Sequence, residues 1–298
     1  MSMNRNRACL LLLGLLVGLA GCSRPVALKL PGYLYMGVGS EIIRLNLDTH
    51  HQRRVFTLPA PLKVDVLSKL SNHDLLVSTY PIHTIGKLNL KTGVWERLRS
   101  GWKAIAFPKL GVFVFYDAPK PGYYAQELYW ASLSHPGVRH RIDPGPFPIQ
   151  IPVVPTGSDR FVYTSWRKKH IQRLWSYNLT QARFRALPFT GAYPELDLGH
   201  QTLLCTQVGV SAHPYFLFRM RSRTPSVEPL RLESWYTPVR YLQASQSLLV
   251  GRAASSLFVS SSHRWTLSVY HLHSGQDTPI LRRTQAGLDS VVWMKHTP

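Results

Sequence analysis

Beyond residue 32 the chain alternates short apolar or alternating runs with clusters of Gly, Pro, Asn, Asp and Ser. Apolar positions hardly ever recur at the 3.6-residue spacing of a helix, so the pattern predicts strands and tight turns. Residues 62–99 show the unit in full, with strands expected at 62–67, 74–79, 85–90 and 94–99. Between the last two lies Lys91-Thr92-Gly93, whose glycine supplies the positive φ of a tight hairpin. The same four-strand reading fits 103–107, 112–116, 127–133 and 138–142, and then 149–154, 160–165, 172–179 and 183–187. It continues through 194–198, 201–207, 215–220 and 227–232, and through 239–243, an interrupted 247–259, 265–272 and 277–281.

A leucine-centred phrase sets the period. Arg44-Leu45-Asn46-Leu47-Asp48-Thr49 is followed by Lys87-Leu88-Asn89-Leu90-Lys91-Thr92-Gly93, and looser copies centre on 133, 179, 220 and 272. The steps between anchors are 43, 43, 46, 41 and 52 residues. Repeats of roughly 40–50 residues in strand-forming sequence are the mark of propeller blades. The ends supply only three strands at 33–36, 42–47 and 53–58, and one left over at 288–294. Three and one complete a blade and remove the open seam. The expectation is an all-β, six-bladed β-propeller of four-stranded antiparallel blades, closed by a C-terminal strand joining the N-terminal blade. A transmembrane barrel would want strands of about 9–11 residues with a lipid-facing band, and a two-sheet sandwich would leave the period unexplained.

Across residues 33–295, the blade pattern and turns such as Leu90-Lys91-Thr92-Gly93 resemble the bacterial TolB-type and WD-repeat-type propellers. Clear Trp-Asp and Gly-His pairs are missing, and the turn decays in blades three to five. Lys91-Thr92-Gly93-Val94-Trp95 is also similar to quinoprotein blade motifs, but it occurs once with its Trp displaced. No quinone, and no other cofactor, is expected.

The N-terminus changes the expected address. Arg5 and Arg7 precede an uncharged apolar run, 9–21, that is shorter than the roughly 20 residues of a membrane span. It ends on Leu19-Ala20-Gly21-Cys22, which resembles a bacterial lipobox. The resemblance implies a signal peptide at 1–21, lipidation of Cys22, a tether at 22–32 and one propeller domain at 33–295. Each buried methylene of an acyl chain contributes about 0.8 kcal/mol to membrane attachment. Ser23, where aspartate would imply inner-membrane retention, implies an outer-membrane, periplasm-facing anchor. The alternative is an ordinary secretory signal with an incidental cysteine. With Cys9 in the signal and Cys22 lipidated, Cys205 stands alone and no intrachain disulfide is possible. The formal charge of +20 favours anionic partners; at an envelope address these are acidic proteins, glycans or lipids rather than nucleic acid.

No G-x-S-x-G, H-E-x-x-H, C-x-x-C or phosphate-loop pattern occurs. Asp65, Glu195, Asp197 and Asp289 fall on expected innermost strands, so Asp65, Asp197 and Asp289 are candidates to line the channel. The plainer reading pairs them with Lys63, Lys103 or Arg240. The loops after each second strand, with the blade-to-blade connections, gather histidines, aromatics and cations on one expected face. Its candidates are His83, Tyr123, Tyr124, Trp166, Arg167, Lys168, His170, His213, Tyr215, Trp235, His263, Arg264 and Trp265. Blade spacing keeps four such histidines from converging on a metal at about 2.0–2.1 Å, so no metal is expected. Arg53, Arg54, Arg97, Arg99, Arg139, Arg141, Arg183, Arg185, Arg282 and Arg283 fall on expected outer strands, where charge discourages edge-to-edge pairing. The expectation is a non-catalytic binding or assembly platform for an envelope protein. A binder of acidic glycan or lipopolysaccharide, and a hydrolase with a channel site, stand as alternatives.

Overall fold

The computed structural model describes residues 32–49, 51–117, 127–142, 149–166, 172–199, 201–207, 215–220, 225–232, 236–242, 246–253, 264–284 and 291–294. Blade one contains β1 (Tyr33–Val38), β2 (Glu41–Asn46) and β3 (Gln52–Thr57); blade two contains β4 (Lys63–Lys69), β5 (Asp74–Tyr80), β6 (Thr84–Asn89) and β7 (Trp95–Ser100). Blade three is β8 (Trp102–Phe107), β9 (Val112–Tyr116), β10 (Leu128–Ser132) and β11 (Arg139–Arg141). Blade four is β12 (Ile149–Pro155), β13 (Arg160–Trp166), β14 (Gln172–Asn178) and β15 (Arg183–Thr190). Blade five is β16 (Ala192–Asp197), β17 (Thr202–Gln207), β18 (Tyr215–Arg219) and β19 (Ser226–Pro229). Blade six is β20 (Tyr236–Leu242), β21 (Ser247–Ala253), β22 (Arg264–His271) and β23 (Asp277–Thr284), and the last strand is β24 (Val291–Met294).

Each blade is a four-stranded antiparallel meander, and blade one has the order β24-β1-β2-β3. β24 pairs along β1 from Tyr33↔Met294 to Met36↔Val291, as the strand count anticipated. The first strands touch in succession, β24 with β4, β4 with β8, β8 with β12, β12 with β16, β16 with β20 and β20 with β24. That closes a six-bladed ring with those strands innermost.

The core lies between blades. Leu75 and Val77 of β5 face blade one, packing with Tyr35, Val292 and Met294. Leu76, the residue between them, faces blade three and packs with Ala104, Phe113 and Phe115. Phe161, Tyr163, Trp175 and Tyr177 likewise face blade three, while Val162 and Leu174 face blade five. Strands buried on both faces need apolar residues at consecutive positions, which is why Leu75-Leu76-Val77 and Val112-Phe113-Val114-Phe115-Tyr116 read as continuous runs. The outer strands show the opposite pattern, with Arg53, Arg54, Arg97, Arg139, Arg141, Arg183 and Arg185 exposed.

The repeated leucine phrase has a backbone cause. Leu47, Leu90, Leu133, Leu179, Met220 and Leu272 each follow a third strand directly. Their N–H groups donate to the carbonyls of Gly32, His73, Gly111, Asp159, Gln201 and Gln246 at 2.7–3.3 Å. Each acceptor immediately precedes a second strand, so the anchor ties off the same ladder in every blade. The asparagine before it builds the turn: Asn89 Oδ1 accepts from the N–H groups of Lys91 and Thr92, both at 3.0 Å. Asn46 Oδ1 does the same for Asp48 and Thr49 at 2.8 and 3.1 Å, an Asx-turn in each case.

Five of the six innermost ladders lose register near their upper end, between Val64 and Val66, Trp102 and Ile105, Gln150 and Val154, Pro194 and Leu196, and Pro238 and Arg240. Bulges of this kind bend the strand and free backbone groups from the ladder. The freed N–H of Ala104 donates to Ser78 Oγ of the preceding blade at 2.7 Å. Ala106 N–H donates to Ser68 Oγ at 3.0 Å, and Thr164 Oγ1 donates to the Ala192 carbonyl at 2.9 Å.

Candidate binding face

The loop after β5 and the connection from blade two to blade three lie at one end of the ring, because Gly101 N–H donates to the His83 carbonyl at 3.0 Å. The same holds in blade one, where Leu58 N–H donates to the Ser40 carbonyl at 2.8 Å. The best-defined part of this face is built at the upper ends of blades two and three. Lys63 opens β4 and is paired in register with Tyr80, which ends β5; Trp102 opens β8 and is paired with Tyr116 at the end of β9.

His83 and Trp102 rings lie 5.8 Å apart, and Trp102 and Tyr116 rings 6.4 Å apart, both tilted. Tyr116 is buried among Phe107, Leu128 and Phe161, so Trp102 spans from core to rim. Burial pushes the Tyr116 hydroxyl far above its usual range. The Lys103 ammonium lies 4.9 Å from the Trp102 ring centre and the Lys63 ammonium 6.0 Å from that of Tyr80, within the reach of a cation–π contact. Asp289, one of the carboxylates expected to pair with these lysines, lies outside the described residues.

A second cluster frames the base of the loop after β9. Asp117 N–H donates to the Glu127 carbonyl at 3.2 Å. Arg139 bridges to Asp117 at 2.7 Å and Arg141 to Glu127 at 3.2 Å. The Tyr129 hydroxyl donates to the Glu127 carboxylate, a bond that raises its pKa. Arg139 also covers the Tyr129 ring at 4.4 Å, and its hydrogen bond to Asp117 raises the guanidinium pKa further.

Of the other candidates, Tyr215 opens β18 but is buried with Leu198, Leu204, Leu248 and Tyr270 between blades five and six. Its place in the apolar run Tyr215-Phe216-Leu217-Phe218 was the available signal. Trp166 ends β13 and Arg264 and Trp265 begin β22, which puts all three at the same end of their blades as His83. Cys22, Tyr123, Tyr124, Arg167, Lys168, His170, His213, Trp235, His263 and Asp289 lie outside the described residues.

The channel candidates separate. Asp65 sits in the bulge of β4, partly buried. Asp197 lies at the opposite end from His83, where its Oδ1 accepts from Gly199 N–H at 2.9 Å within the β16–β17 turn. Burial raises its carboxyl pKa, and the Gly199 bond pulls it back. Glu195, in the bulge of β16, accepts from Thr206 Oγ1 at 3.0 Å. Loss of solvent pushes its carboxyl up to about 7, and burial, with the neighbouring Glu195, raises the Cys205 thiol and the Tyr215 hydroxyl as well. Among the described residues no three His, Cys, Asp or Glu side chains gather as a metal would require.

No family model matches the sequence, and no curated protein matches it. Solved structures do share its fold. A putative TolB from Agrobacterium tumefaciens matches 88% of this chain and 98% of its own, with TM-score 0.63 and 13% identity. TolB from Acinetobacter baumannii matches the same 88% and 66% of its own chain, with TM-score 0.60 and 13% identity. A chain from a nidogen/laminin complex matches 88% and 98%, with TM-score 0.57 and 11% identity. At such identities the likeness is one of architecture: a TolB-like six-bladed β-propeller.

Proposed function

We propose that this protein is a non-catalytic, lipid-anchored platform of the bacterial envelope that docks a protein partner on the His83 end of the ring. The observation that carries this reading is the rim of blades two and three, where Trp102, His83 and Tyr80 are presented beside two lysines on strands tied into the core. Aromatic residues and cations set in rigid surroundings are what protein interfaces use as anchors. The match to a chain from a nidogen/laminin complex adds that this architecture takes part in a protein assembly elsewhere. The anchor rests on Leu19-Ala20-Gly21-Cys22, and the outer-membrane, periplasm-facing position rests on Ser23.

The test is in-cell crosslinking of the tagged protein. One or more envelope proteins should be enriched over a lipoprotein control of matched charge, and no enrichment would remove the platform reading. Cys22→Ala should abolish metabolic labelling with palmitate and release the protein from the membrane fraction; retained labelling would remove the lipid anchor.

A further inference from the structure

Resting on that platform reading, we propose that the partner presents an acidic polypeptide segment along the rim of blades two and three. It lies between Lys63 and Lys103, with an apolar side chain against Tyr80 and Ile82. Ile82, in the loop after β5, is 51% exposed, and Tyr80, at the end of β5, is 41% exposed. Single exposed apolar residues are ordinary; here two stand just ahead of His83 in the chain, whose ring meets that of Trp102.

The charges indicate the partner's sign. Acidic groups are scarce in this chain, 15 against 35 Lys and Arg, and several are held in pairs elsewhere, including Glu41 by Arg54, Asp117 by Arg139, Glu127 by Arg141 and Glu228 by Arg219. Neither Lys63 nor Lys103 meets a carboxylate among the described residues. Both lie over rings, a contact that keeps the ammonium charged and restrains the long side chain. Lys103 has φ +47°, a left-handed backbone that lysine adopts at a cost, set by the bulge between Trp102 and Ile105. His83 adds a buried Nδ1 with no hydrogen-bond partner among the described residues. A purely ionic polyanion would satisfy the two lysines and leave Ile82 and Tyr80 in water. An acidic segment carrying apolar side chains satisfies both.

Binding of the full chain to a fluorescein-labelled Glu/Tyr copolymer, with inorganic polyphosphate as the non-peptide anion, tests this by anisotropy. The key variant is Lys63→Ala with Lys103→Asn, asparagine being tolerant of the left-handed backbone. It should weaken copolymer binding about three- to tenfold, as loss of two exposed charge pairs allows. Arg183→Ala with Arg185→Ala removes the same charge from exposed β15 and should leave binding within about twofold. Ile82→Ser should weaken the copolymer and leave polyphosphate unchanged. Equal loss in both double variants, or no effect of Ile82→Ser, overturns the proposal in favour of a diffuse basic field.

A photo-crosslinker at Ile82, compared with one at exposed Val94 in the turn at the opposite end, separates the two readings in cells. Capture at Ile82 of a segment rich in Asp and Glu supports the proposal. Partner capture from other positions but not from Ile82 keeps the platform and overturns the rim site. Copolymer binding at Lys63 and Lys103 with no partner captured at any position overturns the platform alone.

Discussion

Ala182 stands where Gly93 and Gly275 stand in the equivalent turns of blades two and six, and it takes nearly their conformation, φ +50° against +69° for both glycines. An L-residue there costs about 1–2 kcal/mol, part of which glycine returns through its freer unfolded chain. Ala182→Gly should therefore raise stability by about 0.5–1 kcal/mol, read as a shift in the urea midpoint at unchanged slope. Glu195 makes the opposite kind of demand. Below about pH 4.5 its carboxyl is protonated in the folded and unfolded chain alike, so its place beside Thr206, Cys205 and Tyr215 carries no ionisation penalty. Between about pH 4.5 and 7 the unfolded chain releases the proton first, and each step upward favours unfolding. Glu195→Gln keeps an acceptor for the Thr206 hydroxyl and should flatten the pH dependence of Tm over that window, with the largest gain above pH 7. An unaltered slope would place the ionisable group elsewhere.

At the scale of strands, the bulges and the serines that meet them couple one blade to the next. Ser78→Ala leaves the Ala104 N–H buried and unpaired in its bulge, a loss of about 1–3 kcal/mol. The exposed Ser134→Ala, a change in the turn after β10, should cost less than about 0.5 kcal/mol in the same denaturant titration. Apart from the interrupted 247–259, whose described strand β21 ends at Ala253, the doubly buried strands were readable from sequence to within one or two residues, because burial on both faces forces runs such as Leu75-Leu76-Val77. The bulges were not, since an extra residue in Val64-Asp65-Val66 leaves the hydrophobic pattern unchanged. Strand ends near prolines moved by three residues: β15 runs through Pro188 to Thr190, and β20 begins at Tyr236 ahead of Pro238. In blade five the apolar Leu230 and Leu232 drew the expected fourth strand to 232, whereas β19 stops at Pro229 and both leucines turn into the core. The rim was half legible. Of its residues only His83 stands out from the sequence as a candidate; the register of β4 with β5 sets Lys63 beside Tyr80, and that of β8 with β9 sets Trp102, with Lys103 next to it, beside Tyr116.

For the whole molecule, ring closure depends on β24. Val292 and Met294 are buried with Tyr35, Leu67 and Val77 between blades one and two, and losing the Met294 side chain alone is worth about 2–5 kcal/mol. Deleting residues 288–298 should lower Tm sharply and shift the protein to oligomers in size exclusion, because the freed edge of β1 invites a second chain. Adding a synthetic peptide of residues 288–298 should recover part of the lost Tm; no recovery would mean that β24 does not act as a separable closing strand. The closure was legible from counting strands, three at one end and one at the other, since a ring of four-stranded blades admits no remainder.

That pairing of β1 with β24 also has a meaning in time. Of the described strands the first made is completed by the last, so after β1 emerges from the ribosome about 250 residues must follow before its inner neighbour exists. At roughly 5–20 residues per second the wait is on the order of ten to fifty seconds. During that interval Tyr33-Leu34-Tyr35-Met36 has an open, apolar edge, and a chaperone that holds the nascent chain would find a client segment there.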